Sequence, residues 1–211
     1  MVHWGAAKHV VRYLMGTPDR GVTLGRKGNT DHLVVTADSS FADVQQDLHS
    51  TSGMCCFIGS NPVAWMSKKQ TIHAMSSAEA EYNAACDAIK ETLWIQELVR
   101  ELGAHVVFRP LTPMLLVIDS KACLGMIERG EPGHGRTKHI TLRQHFILEK
   151  FKEGKFVCHW VPGIINAADL MTKTITSKSR FEKLCDFVMS GRDDVGECWN
   201  QLVGSKSSDG F

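Results

Sequence analysis

Apolar positions change their spacing several times along the chain, and each change predicts an element. Between residues 4 and 15 (WGAAKHVVRYLM), Ala7, Val10, Val11 and Leu14 share one helical stripe, and Gly16-Thr17-Pro18 ends it. From Leu33 the period shortens: LVVTAD, GMCCFIG and PVAWMS, parted by polar or Gly/Ser/Asn/Pro residues, predict three strands of an antiparallel meander. Helical spacing returns from Ser76 to Leu102, with Gly103 as its stop. PMLLVIDS is a nearly unbroken apolar run of the kind covered on both faces. Then follow a short helix from Asp119 to Arg129, a Gly-Pro-Gly loop over 130–135, a helix from 138 to 153 stopped by Gly154, the strand KFVCHWVP, and a short helix near NAADLMTK. The predicted order is βββαβααβα behind an N-terminal helix, an α/β fold with a mixed five-stranded sheet flanked by helices.

The length, 211 residues, suits one domain with appendages. We place a lead-in helix and linker at 1–30, the domain at 31–176, and a C-terminal helix with a loosely held tail at 177–211. The chain is 43% hydrophobic and 22% charged, as globular chains are. Its net charge of +1 provides no overall field toward nucleic acid or membrane, so any polyanion must be held by a local patch. No apolar window approaches the roughly 20 residues of a membrane span, and no membrane partner is expected. Seven cysteines, an odd number set among apolar runs without CxxC, suit buried thiols in a reducing compartment better than disulfides or structural zinc. Cys55 and Cys56 should point to opposite faces of a strand.

Asp38 follows LVVTA and Asp119 follows MLLVI, so two carboxylates stand at strand ends, where burial needs a compensating positive charge. On the long helix, 100° per residue puts Glu81 about 40° from the apolar stripe centred on Ala85, with Ala88, Ile89, Thr92 and Val99. Glu79 falls near about 120° with Asn83, Lys90 and Glu97, so Glu81 should face the sheet and Glu79 water. Trp94 should project outward. Asp169 reads equally as a first-turn acid beside an Asn166 N-cap. His134, His139 and His145 lack the HExxH spacing, which disfavours zinc, and no GxSxG elbow supports acyl transfer. Arg136, Lys138, Arg143, Lys150, Lys152 and Lys155, with Ser67-Lys68-Lys69-Gln70 placed between the third strand and the long helix, flank the acids as an enzyme acting on a polyanion requires.

Six stretches in order, AAKHVVRYLMGTPDRGVTL, STSGMCCFIGSNPVAWMSKKQ, SSAEAEYNAACDAIKETLWIQELVRELG, VIDSKACL, RTKHITLRQHFILEKFKEGKFVCHWVP and AADLMTK, resemble the ribonuclease H domain of copia-type LTR retrotransposon polyproteins. The resemblance runs from about residue 5 to 184 and implies a ribonuclease H-like fold. It implies four metal-holding catalytic acids at Asp38, Glu81, Asp119 and Asp169; the last rests on the resemblance alone. It further implies two Mg²⁺ ions, with Mn²⁺ as a substitute, and hydrolysis of the RNA strand of an RNA-DNA hybrid. Ser76, Ser77, Lys68, Lys69, Gln70, Arg136, Lys138 and His139 become candidate hybrid contacts. The opening stretch would join the domain to the reverse transcriptase portion of the same polyprotein, in the cytoplasm, with the nucleus left open. The sequence departs from the family at Ser40, Phe41 and Asp43, where an acid, Trp and Gly are usual, and reads IDS where CDN is common. Gly163-Ile164-Ile165 lacks the histidine that cellular ribonucleases H carry there, which leaves proton shuttling to water or to His134 or His139. A retired domain that only binds hybrid or braces a polymerase is the rival reading. An integrase or transposase of the same fold fits less well, because its third acid should come from a late helix.

Overall fold

The computed structural model describes residues 2–25, 33–43, 48–103, 113–130 and 138–190. Their five strands are β1 (Leu33–Ser40), β2 (Thr51–Ile58), β3 (Asn61–Lys69), β4 (Met114–Ile118) and β5 (Phe156–Trp160). They form one sheet in the order β3-β2-β1-β4-β5, antiparallel from β1 through β3 and parallel from β1 through β5. The helices are α1 (Val2–Gly16), α2 (Ser77–Glu101), α3 (Lys121–Arg129), α4 (Lys138–Lys152), α5 (Asp169–Thr172) and α6 (Lys178–Cys185). A 3₁₀ turn at Gly163–Ile165 precedes α5, and a π-helical turn at Asp186–Ser190 follows α6. The mixed sheet and the element order agree with the ribonuclease H-like architecture expected above.

Period-2 alternation gives the sheet two apolar faces. Leu33, Val35 and Ala37 of β1, Cys56 of β2, and Met114, Leu116 and Ile118 of β4 pack with Ala85, Ala88 and Ile89 of α2. Val34, Cys55, Phe57, Leu115 and Val117 form the opposite core with Val161, Ala167 and Val188. Cys55 and Cys56 thus lie on opposite faces, as predicted, and each thiol is pushed up to about 12, chiefly by burial. Every cysteine among the described residues is buried and unbridged; Cys198 lies outside them. Pro62 is tolerated because β3 is an edge strand and the β2–β3 register shifts at Cys56/Phe57.

Local chemistry sets the helix bounds. Ser76 caps α2 by accepting from Glu79 N–H, Ser120 caps α3 by accepting from Cys123 N–H, and Gly130 ends α3 in the left-handed conformation (φ 64°). That cap starts α3 at Lys121 and leaves Asp119 outside it, two residues later than the apolar pattern implies. β3 extends to Lys69, so Ser67, Lys68 and Lys69 lie within the strand rather than after it, because the pairing Thr51↔Lys69 continues the ladder.

The expected stripe of α1 exists but covers nothing in the described core: Trp4, Val10, Val11 and Leu14 are each more than half exposed. Its ties run to the chain's other end, through the Tyr13 ring edge-on to Phe181 at 6.1 Å and, just beyond α1, Thr23 N–H to the Met189 carbonyl at 2.8 Å. Trp94 projects outward, as its angle predicts. Among the described residues no helix is long and apolar enough to cross a membrane.

Candidate metal centre

Strand register builds the centre of the site. β1 and β4 pair Val34↔Leu115 and Thr36↔Val117, and two residues further along the chain come Asp38, on β1, and Asp119, just past the end of β4. Equal parity sends both carboxylates to the face carrying Val34 and Val117. Glu81 enters from the first turns of α2, on the inward side its helical angle predicts. One carboxylate oxygen from each of Asp38, Glu81 and Asp119 lies within 4.8 Å of the others.

Three acids this close resist ionisation. Burial pushes Glu81 up to about 8, helped by the negative charges of Asp38 and Asp119. Burial also raises Asp38 to about 6, against hydrogen bonds from Lys173 and Thr172 that favour its charged form. Asp119 is raised as well, again mainly by burial. Glu81 Oε2 is buried and has no hydrogen-bond partner. An orphaned carboxylate oxygen beside two more hard oxygen donors fits a divalent cation such as Mg²⁺ or Mn²⁺.

Asp169 stands beside this trio rather than in it. It opens α5 and is buried, with both oxygens engaged: Lys173 Nζ donates to Oδ1 at 2.8 Å, and Arg180 donates to Oδ2. Lys173 Nζ also donates to Asp38 Oδ1 at 2.8 Å, while Thr172 Oγ1 donates to Asp38 Oδ2. Burial opposes the Lys173 charge, but its hydrogen bonds to Asp169 and Asp38 more than offset that and raise its pKa. Asn166 accounts for the local turn. It is not the N-cap of α5 that its spacing suggested, since that position falls on Ala168 and carries no side-chain cap; its Oδ1 instead accepts from Ala168 N–H in the turn before the helix, and its Nδ2 donates to the Ala37 carbonyl, tying α5 to β1 beside Asp38.

The remaining predicted contacts scatter more widely. Lys68 and Lys69 lie on β3 opposite Ser52 and Thr51, at the end of the sheet where Asp38 sits. Ser76 uses its hydroxyl as the α2 cap, and Ser77 is exposed beside it. Gln70 turns inward: its Nε2 donates to Ser52 Oγ and to the Ala80 carbonyl, both at 2.9 Å, which commits its amide to joining β2 with α2. Asn83, expected to face water, is buried and donates to Gln70 Oε1, so this polar network reverses the exposure its angle predicts. Glu79 likewise does not simply face water, since Oε2 accepts from Met75 N–H and Oε1 is buried. Arg143, counted in the basic patch, is instead paired with Asp87 at 2.9 Å. Lys138 and His139 belong to α4, while His134 and Arg136 lie outside the described residues.

Sequence reasoning missed Thr172, Lys173 and Arg180. For the first two a signal was present, since Asp169, Thr172 and Lys173 at i, i+3 and i+4 share a helical face. Arg180 has no local signal. At the end of β5, Trp160 Nε1 donates to the Asp119 carbonyl at 2.9 Å and Lys121 Nζ lies 4.5 Å from the centre of its ring, which fixes the backbone beneath the third acid.

No family model matches the chain. It is 36% identical over 174 residues to the retrovirus-related Pol polyprotein from transposon RE2 of Arabidopsis thaliana, covering 82% of this chain and 12% of that one. Against the corresponding polyprotein from transposon TNT 1-94 of Nicotiana tabacum it is 31% identical over 183 residues, 87% of this chain and 13% of that one. The chain therefore spans about an eighth of the length of these curated relatives. Among solved structures it is similar to LC11-RNase H1 isolated from compost, with 15% identity, 67% of this chain and 93% of that chain covered, and a TM-score of 0.46. The values for RNase H1 of the archaeon Halobacterium salinarum NRC-1 are 16%, 66%, 93% and 0.41.

Proposed function

We propose that this chain, which belongs with the retrovirus-related Pol polyproteins of copia-type transposons, is a metal-dependent ribonuclease H that hydrolyses the RNA strand of RNA-DNA hybrids. The observation that carries the reading is the convergence of Asp38, Glu81 and Asp119 oxygens within 4.8 Å, one of the three residues keeping a buried oxygen without a partner. Asp38, Glu81 and Asp119 would hold a divalent ion, and Asp169 would join Asp38 in holding a second. Such ions, when bound, supply an activated water and charge for the leaving 3′-oxygen.

The chain's own residues orient and select. Thr172 sets the rotation of the Asp38 carboxylate, Asn166 ties the α5 turn to β1, and Trp160 steadies the Asp119 backbone. Lys68 and Lys69 supply cationic positions for hybrid phosphates on the edge strand, with Ser77 near the start of α2. The reverse transcriptase portion of the polyprotein would provide further grip on the hybrid. One observation favours the rival reading, a domain that binds hybrid without cutting it: both oxygens of Asp169 are taken by side-chain cations.

Incubation of the chain with an end-labelled RNA-DNA hybrid in Mg²⁺ and in Mn²⁺ decides between them. The nuclease reading expects RNA cleavage by the wild type and its loss in Asp38→Asn. Hybrid binding without cleavage in either metal overturns it.

A further inference from the structure

The Asp38–Asp169 side of the site carries its own cation. Lys173 Nζ bridges Oδ1 of both acids at 2.8 Å each, and those acids are 0% and 3% exposed at the side chain. Their second oxygens accept from Thr172 and Arg180, so neither carboxylate has an uncommitted oxygen on this side. In the trio of Asp38, Glu81 and Asp119, one oxygen from each residue converges within 4.8 Å, and Glu81 Oε2 has no hydrogen-bond partner among the described residues.

Lys173 is 39% exposed, and its four-carbon stem allows the head to leave for solvent without unfolding α5.

We propose that Lys173 is a tethered occupant of the second cation seat: the resting chain takes one divalent ion, at Asp38, Glu81 and Asp119, and a second enters between Asp38 and Asp169 only when Lys173 withdraws. The proposal rests on the metal-centre reading above but not on hydrolysis. Lys173 is a positioning residue in this scheme. It holds the Asp38 and Asp169 carboxylates together until a divalent ion replaces it, and a hybrid phosphate approaching the site would offer the displaced ammonium a new partner.

The test is Mn²⁺ stoichiometry without substrate, read by calorimetry and by the electron paramagnetic resonance signal of free Mn²⁺ at pH 8. Wild type should bind one Mn²⁺, with any second ion at least about tenfold weaker. Lys173→Met and Lys173→Gln should tighten that second ion by tenfold or more, a change of about 1.4 kcal/mol, while Lys173→Arg should keep the wild-type pattern. Two Mn²⁺ ions of equal affinity on wild type overturn the proposal whatever the variants do, as does an unchanged second site in a folded Met or Gln variant. A parallel hybrid-cleavage assay separates the two ideas. Absent cleavage with the stoichiometric shift intact sinks only the nuclease reading, and cleavage by a wild type holding two equal ions sinks only this one.

Discussion

A β-carbon at Gly163 would stand 2.7 Å from Oδ2 of Asp119, closer than side chains pack. The 3₁₀ turn can therefore run past the third acid without displacing its carboxylate only because residue 163 has no side chain. Gly163→Ala should push the Asp119 carboxylate off the trio while leaving the core alone. The expected result is Mn²⁺ binding weakened on the order of tenfold with little change in melting temperature. Unchanged Mn²⁺ affinity by calorimetry would show that Asp119 is not a ligand or that the turn yields.

Gly53 plays the corresponding role for α5. A β-carbon there meets Thr172 Cγ2 at 2.5 Å, Met171 Cβ at 2.7 Å and the Ala168 carbonyl at 3.0 Å. Two of these neighbours are not free ends of flexible side chains, so the helix itself must lift from β2. Gly53→Ala should cost about 1–3 kcal/mol, measured as a lowered urea midpoint with unchanged slope.

The acid trio predicts an inverted pH dependence in metal-free protein. A carboxyl whose pKa is higher folded than unfolded binds more protons in the folded state between the two values, so stability falls as pH rises through that window. For Glu81 the window runs from 4.5 to about 8. Glu81→Gln should therefore gain melting temperature over wild type progressively from pH 5 to 8 and then level off. Saturating Mg²⁺ should erase or reverse the gain, since a bound cation favours the ionised acid. A constant difference across that range, read by calorimetry in chelator, would contradict the burial of Glu81 against Asp38 and Asp119.

Arg143 joins α4 to α2 through Asp87 at 2.9 Å and the Asn83 carbonyl at 3.2 Å, with both charged side chains under a quarter exposed. Arg143→Met should destabilise by about 1–3 kcal/mol, more than an exposed ion pair loses. The double variant with Asp87→Asn should lose less than the sum of the singles in urea melts. Full additivity would mean that the pair does not couple the helices.

The element order was legible because it follows from local spacing. The parity of LVVTAD and MLLVID places two acids at matching strand ends, and the 100° helical angle selects Glu81 over Glu79. The same angle failed at Asn83, because Gln70 folds back from the end of β3 and makes a buried polar partner that no periodicity encodes. It failed for the basic patch at Arg143, where an acid four residues after Asn83 in sequence becomes a cross-helix partner only once α2 and α4 meet.

Sequence by itself put Asp38 and Asp119 at matching strand ends and Glu81 on the inward face of α2, because strand alternation and helical period act over a few residues and can be read in order. Tertiary structure decided how those acids are neutralised. Lys173 and Asp38 lie 135 positions apart, and Arg180 reaches Asp169 from a different helix. A carboxylate selects its partner by distance in space, and in a buried site that distance is set by how β1, α5 and α6 pack.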